Sequence, residues 1–323
     1  MTCLTSPPIN LTLMSKAKPP ANRPPKRTVD GILLLDKPTG ITSNRALQIA
    51  KRLYQARKAG HTGSLDPLAS GMLPLCFGQA TKVSGFLLEA DKEYEVEALI
   101  GARTDTADAD GAVIETASKV SVEPEELEAA LEANRGAQEQ VPPMYSALKQ
   151  NGQRLYKLAR QGIEVERPPR PVVIHELTVI SFDPQRPLLR VRCSKGTYVR
   201  SLVESIAEQM DTLAHVAALR RIGVGSFAAE PMVTLEELEA REGDLAALDE
   251  FLLPPDVALT GYPDVQLSAS EAFYLRNGHA VGHVGTDIEG LVRVYDEKRC
   301  FLGLAEVQPD GQVAPKRLFT NPA

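Results

Sequence analysis

Cysteine is scarce in this chain of 323 residues, and Cys3, Cys76, Cys193 and Cys300 stand far apart with no Cys-x-x-Cys pair. That spacing suggests neither a disulfide framework nor a zinc site, and it suits a reducing cytoplasm. Long apolar runs are missing as well. None reaches the roughly 20 residues that a membrane span needs. No apolar segment with a small-residue cleavage site opens the chain, so the expectation is a soluble protein that is not exported. There is no P-loop, and no Gly-x-Gly-x-x-Gly leads from a strand into a helix, which removes two common phosphate cradles. Of the five histidines, only His279 and His283 are four apart, and Gly278, Gly282 and Gly285 argue against a helix there; His61, His175 and His215 stand alone. No metal or cofactor is implied. No Gly-x-Ser-x-Gly marks a serine nucleophile. Length leaves room for two domains of about 150 residues each.

The formal net charge is -6, which argues against a polyanionic partner until its distribution is considered. Residues 1–29 carry Lys16, Lys18, Arg23, Lys26 and Arg27 and no acid, among prolines at 7, 8, 19, 20, 24 and 25. They predict a disordered basic arm. Lys149, Arg154, Lys157, Arg160, Arg167 and Arg170 face only Glu164 and Glu166 within their segment, whereas residues 230–250 hold eight acids and the single base Arg241. The acidity is segregated, and a basic face remains open to nucleic acid.

Along the chain, GILLLDKPTG predicts a buried strand over Ile32 to Leu35 and a turn at Lys37-Pro38. A helix follows, capped by Thr42 or Ser43, with Ala46, Leu47, Ala50, Leu53 and Tyr54 on its inner face. EYEVEALIGA alternates, with Tyr94, Val96, Ala98 and Ile100 on one face and Glu93, Glu95 and Glu97 on the other, which predicts a strand with one solvated face. In RTDTADADG the three aspartates 105, 108 and 110 resemble a calcium loop only superficially, since the bidentate glutamate is missing. They read as a turn whose carboxylates bond their own backbone. Pro124 to Asn134 predicts an amphipathic helix, and Val172 to Phe182 and Leu188 to Cys193 predict strands. A turn at Gly196 leads into a helix with Val199, Leu202, Val203 and Ile206 inward. Thr234 and Glu237 form a capping box. From about Leu253, proline marks and short β-rich segments around an Asp310-Gly311 turn predict a small β module.

One stretch stands apart. AGHTGSLDPLASGMLP sets Asp66 among Gly60, Gly63, Ser64 and Gly71 and follows it with Pro67, which biases Asp66 away from helical backbone. It reads either as an ordinary surface turn or as a loop that lets a substrate approach a carboxylate. An aspartate that acts as nucleophile or base must be ionised and close to its target. An arginine partner would hold it so, lowering its pKa by about 1 to 3 units. Glycosidases use two carboxylates, and no second one is obvious near Asp66 in sequence. A single carboxylate with an arginine suits a rearrangement better than a hydrolysis.

GILLLDKPTGITSN, AGHTGSLDPLASGMLP, ATKVSGFLLEADKEYEVEALIGARTDTADADG, PPMYSALKQNGQRLYKLARQGIEV, CSKGTYVRSL and AHVAALRR closely resemble, in order, the blocks of the bacterial tRNA pseudouridine synthase B (TruB) family. The resemblance covers roughly residue 30 to the end. It implies an α+β fold: a mixed, mostly antiparallel sheet with flanking helices over 30–252, an RNA-clamping thumb at about 142–171, and a β-barrel-like PUA module over 253–323. It implies isomerisation of uridine 55 in the T loop of tRNA, without cofactor or metal, by a cytoplasmic monomer that engages the T stem-loop and no membrane. Asp66 would be the essential catalytic carboxylate. Tyr94 would stack on the flipped base and assist proton removal from C5, Arg200 would pair with Asp66, Tyr198 and Leu219 would line the base pocket, and His61 would fill the space of extruded bases. Lys149, Arg154, Lys157 and Arg160 on the thumb would contact phosphates. Two alternatives stand beside this: a synthase of different RNA specificity, and a non-catalytic RNA-binding or tRNA-folding module. A hydrolase would need a second carboxylate and would release uracil. The family commonly begins just before GILLLDKP, so the thirty or so preceding residues are unusual, and translation from Met14 is the expectation.

Overall fold

The computed structural model describes residues 26–228, 231–282 and 288–320. The expectations for residues 1–25, Met14 among them, and for His283 lie outside the described residues.

The first strand, β1 (Gly31–Lys37), is buried along almost its whole length. Its unbroken run of aliphatic residues is explained by cover on both faces. Leu33 and Leu35 enter the main core, while Ile32 and Leu34 enter a second core on the other side. Helix α1 (Ser43–Leu53) starts at Thr42, whose hydroxyl accepts the Arg45 amide at 3.1 Å. Its expected inner residues Ala46, Leu47, Ala50, Leu53 and Tyr54 are all buried. Then come β2 (Ala59–His61), β3 (Ser70–Phe77), α2 (Ser84–Glu89) and β4 (Lys92–Ile100). The segment expected to be a loop from Ala59 onward thus begins as a strand, because Ala59, Gly60 and His61 pair with Phe77, Cys76 and Leu75 of β3. Strand β4 alternates buried and half-buried residues as its sequence predicts.

A hairpin of β5 (Ala102–Thr104) and β6 (Val113–Thr116) leads to α3 (Pro124–Ala133), which has proline in its first turn and a capping box of Glu123 and Glu126. Next are β7 (Gly136–Gln140), the short pair β8 (Lys149–Gln150) and β9 (Gln153–Arg154), α4 (Leu155–Ala159), β10 (Arg170–Ser181), β11 (Leu188–Cys193), α5 (Val199–Glu208) and β12 (Ala214–Val224). The chain returns through β13 (Val233–Thr234), α6 (Leu235–Glu239) and α7 (Leu245–Asp249). The Thr234–Glu237 capping box opens α6 as predicted.

These strands form one sheet in the order β13-β1-β3-β12-β4-β11-β10-β7, with β2 on β3. The β1–β13 and β3–β12 pairs are parallel and the others antiparallel, so the sheet is mixed and mostly antiparallel, as expected. The remaining elements, β14 (Asp264–Gln266), α8 (Ala269–Arg276), β15 (Val281–Gly282), β16 (Gly290–Tyr295), β17 (Phe301–Val307) and β18 (Gln312–Leu318), build a second sheet ordered β14-β16-β17-β18-β15. It packs firmly on the first part of the chain, because Leu304 and Phe319 share the second core with Ile32, Met72 and Cys76. No described helix is long and apolar enough to cross a membrane.

The centre of the large sheet carries one close approach that requires glycine. Gly71 of β3 has φ +94°, and a Cβ there would lie 2.2 Å from the Arg221 carbonyl oxygen of β12. Gly71→Ala is therefore expected to cost roughly 2 to 4 kcal/mol through left-handed strain and backbone overlap. Urea unfolding measures it; an unchanged midpoint would contradict this packing.

Candidate active site

The turn between β2 and β3 carries Asp66, and a set of polar contacts fixes it. Ser43, at the start of α1, donates its hydroxyl to the Leu65 carbonyl at 3.0 Å and accepts the Leu65 amide at 2.7 Å. The Gly40 amide donates to the Pro67 carbonyl at 2.8 Å, and the Ala69 amide closes the turn onto the Asp66 carbonyl at 3.1 Å. Lys37, fully buried, donates to the carbonyls of Pro38 (2.7 Å) and Ile41 (2.8 Å) and reaches Pro67 at 3.5 Å. Burial lowers the Lys37 pKa to about 8, with Asp66 opposing that and Arg221 adding to it. Pro67 thus serves as a fixed carbonyl acceptor, which neither a free turn nor sequence reasoning would suggest.

Arg200 comes from the first turn of α5 and is 4% exposed. Its Nη2 lies 2.9 Å from Asp66 Oδ2, and its Nη1 lies 3.5 Å from Asp108 Oδ2. It also donates to the Thr106 carbonyl at 2.6 Å and the Tyr145 carbonyl at 2.7 Å. A buried guanidinium needs such a full set of partners. The aspartate turn behaves as predicted, since Asp108 Oδ1 accepts the Asp110 amide and Asp105 Oδ1 accepts the Ala112 amide. Sequence reasoning missed the other oxygen of Asp108, the second carboxylate on Arg200. Its signal was the position of Asp108 in a turn that needs only one oxygen for its own backbone.

The expected pKa of Asp66 requires correction. It is raised, not lowered: burial is the largest cause, Arg200 and Lys37 pull the other way, and Asp108 and Asp110 add to the rise. The side chain still keeps 45% of its surface open, so the carboxyl is reachable.

Asp66, Tyr94, Tyr198, Arg200 and Leu219 line one cleft of about 320 Å³. Tyr94 lies on the buried face of β4, and burial raises its phenol pKa while the facing Arg221 works against that rise. Tyr198 immediately precedes α5; its amide donates to Gln140 Oε1 at 2.7 Å, and Gln140 Nε2 donates to its carbonyl at 3.0 Å. Leu219 of β12 is half-buried and touches the main core. His61 does not line this cleft. It ends β2, half-buried, with a buried Nδ1 that has no hydrogen-bond partner among the described residues, and burial and Arg221 both lower its pKa.

Two further basic residues line the cleft that sequence reasoning did not single out. Lys92 donates to the Leu88 carbonyl at 2.7 Å and the Ala90 carbonyl at 2.5 Å at the end of α2, and burial lowers its pKa to about 8. Arg221 is the other. Beside the cleft, Lys149, Arg154 and Lys157 line an open groove of about 560 Å³ with Tyr156, and the Arg160 guanidinium sits 5.6 Å from the Tyr156 ring centre. Among the described residues, no cluster of three or more His, Cys, Asp or Glu is placed to hold a metal ion.

A reachable, firmly anchored carboxylate over a cleft roomy enough to admit a nucleobase, with a basic groove nearby, suits chemistry on a base turned out of a nucleic acid strand. Residues 51–199 match the model of "TruB family pseudouridylate synthase (N terminal domain)", and residues 200–260 and 263–319 match models of TruB C-terminal domains. The chain is 52% identical to tRNA pseudouridine synthase B of Nitrosococcus oceani over 90% of this chain and 95% of that one. It is 48% identical to tRNA pseudouridine synthase B of Shigella boydii over 91% and 96%. In fold it is similar to a chain of a Cbf5-Nop10-Gar1 complex, with a TM-score of 0.68 and 24% identity over 90% of this chain and 85% of that one. The chain belongs to the TruB family of pseudouridylate synthases: its reaction isomerises uridine to pseudouridine.

The raised pKa of Asp66 has a consequence for stability. Its folded-state pKa lies above the ordinary carboxyl value, so the fold favours the protonated form and ionising Asp66 at neutral pH works against folding. Asp66→Asn is expected to raise the unfolding midpoint at pH 7, with the gain shrinking as pH falls toward the ordinary carboxyl range of about 4. Thermal unfolding at both pH values checks this; a lower midpoint at pH 7 would mean that the Arg200 attraction outweighs burial.

Proposed function

We propose that this chain converts uridine 55 in the T loop of tRNA to pseudouridine in the cytoplasm, with Asp66 as the catalytic carboxylate. The observation that carries the proposal is the Asp66–Arg200 pair at 2.9 Å, with Asp66 open to a cleft walled by Tyr94, Tyr198 and Leu219. The high identity to tRNA pseudouridine synthase B proteins over nearly their whole length supports tRNA as the substrate.

A uridine stacked in a folded loop is out of reach of a carboxylate, and turning it out costs a few kcal/mol. Stacking on Tyr94 returns about 1 to 3 kcal/mol. His61, outside the cleft and with a lowered pKa, presents a neutral imidazole suited to the space that extruded bases leave. Arg200 holds Asp66 in orientation against the ribose while three other acceptors hold Arg200. The C1′–N1 bond then breaks and the uracil stays in the closed part of the cleft, turns, and rejoins the ribose through C5. Loss of the C5 proton, assisted by Tyr94, restores the ring.

We read residues 30–252 as the catalytic domain, 253–323 as a PUA-like RNA-binding domain, and about 142–171 as a thumb whose Lys149, Arg154, Lys157 and Arg160 contact phosphates. The Tyr145 carbonyl on Arg200 ties the base of this thumb to the catalytic pair.

Tritium release from tRNA labelled at uridine C5 tests the chemistry. Wild type is expected to release about one equivalent without added cofactor and without free uracil, and Asp66→Asn at least roughly 10³-fold more slowly with tRNA binding retained. Wild type that binds tRNA tightly without release would favour a binding module instead. For the thumb, neutralising Lys157 and Arg160 together is expected to reduce the salt slope of tRNA binding by roughly 1.5 to 2. A slope unaltered in filter binding would take these residues out of the interface.

A further inference from the structure

Among the described residues, Arg221 has the largest side chain that is fully buried, at 1% exposure. Buried arginines are normally matched by acids, as Arg200 is. Among the described residues no carboxylate lies within ion-pair distance of Arg221. Its Nε donates to the Met72 carbonyl at 2.7 Å and its Nη2 to the Gly63 carbonyl at 3.1 Å, both neutral acceptors. It is also placed with precision. Arg221 is the register partner of Tyr94 on β4 and of Gly71 on β3, so its backbone is clamped in mid-sheet. A Cβ on Gly63 would stand 3.7 Å from Nη1, and the residue lines the same cleft as Asp66. The charge is felt by its neighbours: Lys37, His61 and Lys92 are each made less willing to carry a proton by it.

A positive charge kept dry and without an acid is costly to maintain. The reaction supplies a reason for it, on the reading of Asp66 given above. When the C1′–N1 bond breaks, its electron pair leaves with the uracil. Asp66 either bonds to the ribose carbon, becoming a neutral ester, or takes a ribose proton, becoming a neutral acid. In both routes one negative charge moves from Asp66 to the detached base. Arg200 faces that charge at the start, and by then it is already matched by Asp108. The cleft therefore needs a second cation where the charge arrives, and it must not be neutralised beforehand.

We propose that Arg221 is that cation, a positioning residue that holds Tyr94 at the cleft floor and steadies the anionic uracil through its fixed field while the base turns. A preorganised charge in a site that excludes water acts strongly on a developing anion. The absence of an acid partner and the backbone clamped against Gly71 are then parts of one device.

Single-turnover formation of pseudouridine from an unmodified tRNA transcript, with the full chain in saturating excess, tests this with Arg221→Gln and Arg221→Lys. Arg221→Gln, which keeps hydrogen bonding and removes the charge, is expected to be slower by on the order of 10²-fold with tRNA affinity within about twofold. Arg221→Lys is expected to recover most of the rate. A 5-fluoro substituent makes the uracil anion less basic, so with 5-fluorouridine tRNA the deficit of Arg221→Gln in glycosidic cleavage is expected to shrink. The proposal is overturned if both variants react at the wild-type rate, if a folded Arg221→Lys is as slow as Arg221→Gln, or if the loss lies in tRNA affinity. It is overturned equally if the deficit is the same for both bases. An Arg221→Gln chain that does not fold beside a fully active Arg221→Lys would make the cation a folding element and would also overturn it. Wild type that leaves uridine unchanged would overturn instead the isomerase reading on which this rests.

Discussion

A guanidinium that is 4% exposed cannot keep its hydration, so every donor of Arg200 must find protein, and the partners it finds define the site. They are Asp66 from the turn before β3, Thr106 and Asp108 from the aspartate turn, and Tyr145 from the segment leading into β8. These segments are scattered over some eighty residues of chain, and of them the Asp66 turn is also anchored by Leu65 and Ala69 in the main core. The requirement to satisfy one buried cation draws them together at the start of α5. The same requirement explains why the cleft has a fixed rim although much of that rim consists of turns set against β4, α5 and β12.

The elements that apolar pattern determines were readable. The run at Ile32 to Leu35, the alternation from Glu93 to Ile100 and the inner face of α5 each reflect burial of side chains, and burial leaves a period in the sequence. Asp66 is marked by its own glycine-rich, proline-fixed stretch, whereas Tyr94, Tyr198, Arg200 and Leu219 are reached only through resemblance to a family, because no local pattern separates Tyr94 from an ordinary core tyrosine. Arg221 and Lys37 were not found. Both are long basic side chains within apolar stretches, which reads as a polar face until the fold supplies the carbonyls of Met72, Gly63, Pro38 and Ile41 to bury them. The stretch from Ala59 reads as loop in the sequence because three residues ending in Gly-His carry little strand propensity; pairing with the central strand β3 outweighs that.

The direction of the Asp66 pKa shows two effects competing in one place. An arginine at 2.9 Å favours the carboxylate, and taken alone it would depress the pKa. But Arg200 is shared with Asp108, and each acid reduces what the guanidinium offers the other. Burial then decides the sign. The result is a carboxylate held in orientation without being over-stabilised, which suits the catalytic role proposed for it. A carboxylate whose pKa had been driven far down would be a poorer base and nucleophile.

Reaction at one base of a large folded RNA also asks that distant contacts bear on the cleft without slack. Strand β1 meets this by facing two cores at once: Leu33 and Leu35 pack with the elements around the cleft, Ile32 and Leu34 with Leu304 and Phe319 of the C-terminal sheet. Lys82 adds a polar tie by donating to the Leu318 carbonyl at 2.7 Å, and Arg317 returns a bond to the Lys82 carbonyl at 2.8 Å. A hinge between the two sheets would have to open a packed apolar layer and break these bonds together. Any contact made at the C-terminal sheet is therefore carried to the Asp66 turn as position rather than lost in relative motion, which is what the catalytic role proposed for Asp66 requires.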